Sequence, residues 1–380
     1  MTALGLTFAP AALAQGEPTS PPRVIFDGDL GPDPCDFANL AMAHNLHDAG
    51  EIELLGFMST LPEASNIAVL DIMNDRHGHD IPISMFKDPS DERYNRFVVP
   101  SSEFVHQLYP ASRSIASRFS AHDTLTPAQT PSSTKLYREL LAAEPDNSVT
   151  IFTQGQLFNI KALLASGPDE ISPLSGAQLL EAKTKKMVMM IGAFGEPISP
   201  ADLDFYRTSY LNDPPNGYGI TTAALHAVTS NGGGFEYNAL GFYPGLTQDV
   251  FAQLDRLSVP KTILGNEQGW KVPTGDAYTA LSADHPVRMA YAENNALSEI
   301  VHPGRAKNNP AYDELALYYL ARGTGTQFAE VPGHAAFGEF GTSTWTDDAG
   351  ARDRKLVLTP GANDGDAALS DEIERLVVGG

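Results

Sequence analysis

The chain has 380 residues, 42% of them hydrophobic, enough for one large α/β domain or two smaller ones with a sizeable core. Its formal net charge is −22, which repels a nucleic-acid polymer and leaves small neutral ligands or cations as partners. The single cysteine, Cys35, excludes an internal disulfide framework and any zinc or iron–sulfur site built from cysteines.

The chain opens on an apolar run that ends in Ala12-Leu13-Ala14, the small-x-small pattern of a signal-peptidase site, with no positive charge before it. Two readings stand. One is the remnant of an export signal from a misassigned start, which places the protein in the periplasm or outside the cell. The other is a disordered Ala-rich terminus on a cytoplasmic protein. Residues 15–22 carry Pro, Ser and Gly and read as a tether to a domain over 23–380. No other segment approaches the roughly 20 apolar residues of a transmembrane helix.

From there strand and helix signals alternate. Strands are predicted at Val24–Phe26, Ile52–Met58 and Ile81–Phe86, with helices at Phe37–His47 and Ala64–Asn74 between them. Residues 88–132 are polar and rich in Pro and Ser, with aromatics at Tyr94, Phe97, Phe104 and Tyr109, and read as an insertion or a lid over the site. Then follow a helix at Lys135–Ala143, a strand at Val149–Thr153, a helix at Leu157–Leu164 and a strand at Lys186–Ile191. A short helix at Thr221–Thr229 precedes the loop Asn231–Gly234. Later come a helix at Asp249–Leu257, a strand at Lys261–Leu264, a helix at Ala311–Ala321, a strand at Leu356–Leu358 and a closing helix at Ala367–Val378. Such alternation implies an α/β fold: a mainly parallel central sheet, Rossmann-like, with helices on both faces. No Gly-rich phosphate loop follows a strand, which argues against a kinase, an NTPase or a dinucleotide enzyme.

The densest signal is Asp27-Gly28-Asp29-Leu30-Gly31-Pro32-Asp33-Pro34-Cys35-Asp36. It joins the first strand to the first helix, where Pro34 suits the first helical position and Asp33 the N-cap. The turn lies at the carboxyl end of a strand, where α/β proteins place ligands, and several oxygens gathered there suit a hard cation. Capping alone explains Asp33 and Asp36 but not Asp27 and Asp29. An EF-hand fails, because Pro32 stands where Gly is needed and Ala38 where Glu is needed. A solvated acidic surface stays open as the third reading.

The turn resembles the acidic signature of the inosine–uridine-preferring nucleoside hydrolase family. It matches the longer form, Asp-x-Asp-x-Gly-x-Asp-x-Asp-Asp, with Cys35 in place of one Asp. Downstream, Gln154-Gly155-Gln156-Leu157-Phe158-Asn159 is similar to the family's Gly-Pro-Leu-Thr-Asn segment. Met189-Met190-Ile191-Gly192-Ala193 resembles its Met-Gly-Gly strand end, and Glu236-Tyr237-Asn238 its Glu-Phe-Asn triplet. The stretch from Val259-Pro260 to Glu267 and Gly269 resembles the strand and turn that follow. Tyr312-Asp313 opens a helix where the family has an aromatic or His before Asp.

The resemblance implies a nucleoside-hydrolase-like fold that binds one Ca²⁺ and hydrolyses the N-glycosidic bond of a nucleoside or related N-glycoside. It implies Asp29, Asp36, Asp313 and the carbonyl of Phe158 as metal ligands, and Asp29 as the general base. Asp33, Asn159, Glu236, Asn238 and Tyr312 would meet the substrate. The partner is then a small nucleoside or sugar, and family members that form dimers or tetramers admit a homo-oligomer. A non-catalytic, calcium-dependent binder on the same scaffold is the alternative, suggested by Cys35 and by Tyr312 where the family's acid is His; Ser59-Thr60-Leu61-Pro62 stands where the family has a Gly-Asn that touches the sugar.

Overall fold

In a computed structural model, residues 20–379 are described except for 31–32, 62, 88–109, 123, 196–233, 241–244, 302–308, 340 and 364–367. The segments predicted for residues 1–19, the helix at Thr221–Thr229 and most of the loop before Gly234 lie outside the described residues.

The elements run β1 (Arg23–Gly28), α1 (Cys35–Asp48), β2 (Glu53–Ser59), α2 (Ala64–His77), β3 (Ile83–Met85), α3 (Pro110–Arg118), α4 (Ser133–Ala143), β4 (Val149–Gln154), α5 (Phe158–Ala165), α6 (Gly176–Lys183) and β5 (Thr184–Met190). They continue with β6 (Gly234–Phe235), α7 (Tyr237–Leu240), α8 (Leu246–Leu254), β7 (Lys261–Leu264), α9 (Asn266–Gly269), β8 (Pro273–Thr274), α10 (Pro286–Val301), β9 (Asn309–Pro310), α11 (Tyr312–Arg322), β10 (Phe328–Phe337), β11 (Thr342–Asp347), β12 (Arg354–Leu358) and α12 (Leu369–Val378).

Ten strands form one sheet in the order β3-β2-β1-β4-β5-β7-β12-β10-β11-β6. From β3 to β12 every neighbouring pair is parallel; β10, β11 and β6 then add antiparallel pairs at one side. The central strands are buried on both faces, which is why they read as apolar runs. On β1, Val24 and Phe26 enter one core layer and Ile25 the other, as the two-residue period of a strand requires. The fold is therefore the mainly parallel α/β architecture expected, with the antiparallel ribbon β10–β11 as an addition.

Two other features depart from the expected pattern. Helix α6 carries a capping box, in which Ser175 and Gln178 satisfy each other's backbone N–H groups; the Ser-x-x-Gln spacing announces it. Asp33 is not the N-cap of α1. The helix begins at Cys35, Pro34 takes the cap position with helical dihedrals, and no side chain bonds the cap. Proline at the cap leaves Asp33 one step outside the helix, exposed to solvent. Within 88–132, residues 110–118 form α3, which packs on α2 and α10. Among the described residues, no helix is long and apolar enough to cross a membrane.

Candidate active site

Strands β1, β4, β5 and β7 lie side by side, and segments at the carboxyl ends of β1, β5 and β7 line one cavity. The turn between β1 and α1 supplies Asp29, Asp33, Cys35 and Asp36, and the end of β5 supplies Met190. Glu236 and Asn238 come from the segment after β6, Asn266 from the start of α9, and Tyr312 and Asp313 from the first turn of α11. Among the described residues no Lys, Arg or His lines it.

The turn is held from beneath. Asp29 N–H donates to the Gln154 carbonyl (3.2 Å), and Asn66 Nδ2 donates to the Asp29 carbonyl (2.6 Å). Leu30 adopts φ 42°, a left-handed conformation that costs energy for a residue with a Cβ. Gly155, at φ +145°, lies so close that a Cβ there would stand 3.1–3.2 Å from Asp29 N, Cβ and Cγ. Only glycine admits this approach.

The acids make direct contact. Asp36 hydrogen-bonds with both Asp29 and Asp313, and Cys35 Sγ donates to Asp313 Oδ2 at 3.3 Å. Gln156 Nε2 reaches Asp29 Oδ2 (2.9 Å) and Asn238 Oδ1 (3.3 Å), and Gln154 Nε2 reaches Asp36 Oδ1 (2.8 Å). Burial pushes the Asp29 and Asp313 carboxyls up to about 7, and Asp36 well above the usual carboxylate range, where the charges of Asp29 and Asp313 add to the effect. Across the cavity, Glu236 accepts backbone N–H groups from Gly192 (2.9 Å), Asn238 (2.6 Å) and Ala239 (2.9 Å). Burial still holds its carboxyl up at about 7.

At the rim, Tyr312 packs edge-on against Trp270, with ring centroids 5.7 Å apart. Trp270 is 46% exposed, unusual for so large an apolar ring. Gly269 lies under Tyr312, where a Cβ would come within 2.3 Å of the ring.

The donor chemistry fits a hard divalent cation: three buried carboxyls in contact, first-turn positions on two helices, and neutral amides rather than cations as neighbours. As they stand, no group of three or more His, Cys, Asp or Glu side chains among the described residues is placed to hold a metal ion.

No family model and no curated protein matches the chain. Solved structures do. The purine-preferring ribonucleoside hydrolase from Gardnerella vaginalis superposes with a TM-score of 0.61 at 13% identity, over 94% of this chain and 97% of that one. The inosine–uridine preferring nucleoside hydrolase from Bacillus anthracis gives 0.57 at 14% identity, over 94% and 98%. The type III effector protein XopQ, complexed with adenosine diphosphate ribose, gives 0.57 at 16%, over 95% and 93%. The chain has the nucleoside-hydrolase fold. At these identities the likeness establishes the architecture alone.

On this nucleoside-hydrolase fold, the residues expected at the site divide into two sets. Asp29, Asp33, Asp36, Glu236, Asn238, Tyr312 and Asp313 meet at the cavity. Phe158 and Asn159 lie behind it. Phe158 opens α5 with its ring against Phe86, and Asn159 Nδ2 donates to Asp27 Oδ1 at 2.8 Å. Tyr137 donates to the other oxygen of Asp27 at 2.7 Å, so Asp27 braces the turn from inside the core. Sequence reasoning gave no role to Met190, Asn266, Trp270 or the side chains of Gln154 and Gln156. Met190, Gln154 and Asn266 all fall at carboxyl ends of parallel strands, the signal that would have flagged them.

Proposed function

We propose that this chain is a calcium-dependent hydrolase of the N-glycosidic bond of a nucleoside or related N-glycoside, releasing free base and ribose. The observation that carries this reading is the meeting of Asp29 and Asp36, from one end of the chain, with Asp313 from the other, in a cavity faced by Glu236 and Asn238.

Asp29, Asp36 and Asp313 would hold the cation; Phe158, whose carbonyl the resemblance implies as a fourth oxygen, does not line the cavity. A calcium ion bound there would supply Lewis-acid chemistry, making a water easier to deprotonate. Asp29 takes the proton from the water as general base, a contribution of roughly 10²–10⁴-fold. The acidic cavity stabilises the positive charge that grows on the sugar as the C–N bond lengthens. Asp33, Glu236 and Asn238 bind sugar hydroxyls, and a site built on such bonds rejects analogues that lack them. Asn159 supports them through Asp27. Tyr312 offers the ring on which a base stacks, with Trp270 edge-on against it. The reading includes salvage outside the cytoplasm, supported by Ala12-Leu13-Ala14, and admits a homo-oligomer.

A non-catalytic, calcium-dependent nucleoside or sugar binder is the second reading, favoured by the thiol at Cys35 and the phenol at Tyr312. The test is incubation with a panel of nucleosides plus Ca²⁺, assaying free base and reducing sugar. Turnover that vanishes in Asp29→Asn supports the hydrolase. Binding without release of any base supports the binder.

A further inference from the structure

Gln154 and Gln156 flank Gly155 at the carboxyl end of β4, and each reaches a different carboxylate. Gln154 is fully buried; its Nε2 donates to Asp36 Oδ1 at 2.8 Å, and its Oε1 accepts from Asn39 on α1. Gln156 is 1% exposed, and its Nε2 donates to Asp29 Oδ2 at 2.9 Å and to Asn238 Oδ1 at 3.3 Å. One turn of chain thus fixes one oxygen on each of the two early acids. Both donors are neutral amides. A Lys or Arg there would cancel charge that a cation needs, whereas an amide orients the carboxylate and leaves its charge intact.

Orientation has to be imposed. The terminal torsion of Asp is broad, so the side chain alone does not fix where its two oxygens point. Gly155 brings the backbone of this turn against Asp29 itself, and β4 pairs with β1 up to Gly28↔Gln154, so the donors are anchored at the centre of the sheet. Gln156 also ties Asp29, on the water side, to Asn238, on the sugar side.

We propose that Gln154-Gly155-Gln156 is a two-amide clamp: Gln154 positions Asp36 to ligate the cation, and Gln156 positions Asp29 to take the proton. Both are positioning residues. The Gln156 half rests on the hydrolase reading; the Gln154 half rests only on cation binding.

The two halves give different readouts. Gln154→Met keeps the side-chain length and removes the donor; the affinity for Ca²⁺ alone, by titration calorimetry, falls about 10–100-fold. Gln156→Met lowers kcat at saturating Ca²⁺ by about 10–100-fold, with KM within about threefold. In an Asp29→Asn background the Gln156→Met change has no further effect on kcat, which a merely structural role would not reproduce. Gln154→Asn and Gln156→Asn retain the amide but fall one methylene short. They give the same two losses if the methionine variants fail to fold.

Wild-type turnover of a nucleoside, with Ca²⁺ affinity and kcat within twofold of wild type in folded variants, overturns the clamp and leaves the hydrolase reading intact. No turnover by the wild type, with Ca²⁺ binding weakened in Gln154→Met, overturns the hydrolase reading and the Gln156 half with it, and supports the Gln154 half.

Discussion

Cys35 Sγ and Asp313 Oδ2 lie 3.3 Å apart across 278 positions of sequence, thiol donating to carboxylate. Both residues occupy the first turn of a helix, α1 and α11, so two positive helix ends face one cavity. A thiol adds no negative charge at neutral pH and is a poor partner for a hard ion. Calcium affinity follows the number of ligand charges. Cys35→Asp is therefore expected to tighten Ca²⁺ binding about tenfold in titration calorimetry, and to lower ion-free stability by about 1–2 kcal/mol through added repulsion among buried acids. Unchanged affinity would place Cys35 outside the field of the ion.

Gly155→Ala would put a methyl group 3.1–3.2 Å from Asp29 at a backbone φ of +145°. The contacts are with backbone and with the first atoms of a side chain, which cannot swing away. A loss of about 1–3 kcal/mol in urea unfolding is expected, together with weaker Ca²⁺ binding because Asp29 is displaced. A variant with wild-type stability would show that β4 and the turn separate easily.

Much of this arrangement is legible in the sequence. The strand-ending turn with Asp29, Asp33 and Asp36 announces itself by density, and the parallel sheet by alternating apolar runs. The N-cap expected of Asp33 goes to Pro34, because proline's fixed φ lets the helix start one residue later than the capping preference implies. The contact between Cys35 and Asp313 is invisible locally: both are ordinary first-turn residues until the sheet brings α1 against α11. Gln154 and Gln156 look like polar loop residues, and only the pairing of β4 with β1 turns their amides toward the acids.

Asp29→Asn keeps the shape of the side chain and its reach to Gln156 while removing the base. We expect kcat to fall by roughly 10²–10⁴-fold, with nucleoside still bound in calorimetry. A loss of less than about tenfold would move the base elsewhere.

Cation binding should release protons. Asp29 and Asp313 hold theirs up to about 7, chiefly because they are buried. Below that value Ca²⁺ must displace protons, and above it the carboxylates are already ionised. Affinity should therefore be weaker at pH 5.5 than at pH 8, by roughly tenfold or more if at least one proton leaves per ion. Calorimetry in buffers of different ionisation enthalpy counts the protons. Affinity that does not change across this range would mean the acids are ionised throughout.

Acid should also weaken the fold at a second place. His285 stands just before α10, and its Nδ1 accepts the backbone N–H of Val287 at 3.2 Å. Burial pushes its pKa down to about 4, helped by the charge of Arg76. Protonation would remove the acceptor and set a positive charge at the positive end of a helix. The unfolded chain takes up its proton near pH 6.5, the folded one near 4. Stability from this group is thus complete above pH 6.5 and is lost as pH falls toward 4. The buried acids of the cavity act in the opposite direction, their contribution falling as pH rises through about 7. Comparing wild type with His285→Asn cancels that background, since Asn keeps an acceptor at the helix start and does not titrate. Between pH 7 and 4.5 the wild type should lose about 1–2 kcal/mol more than the variant in urea unfolding, allowing for solvent screening at a partly accessible ring. Equal losses would show that His285 keeps its ordinary pKa in the folded chain.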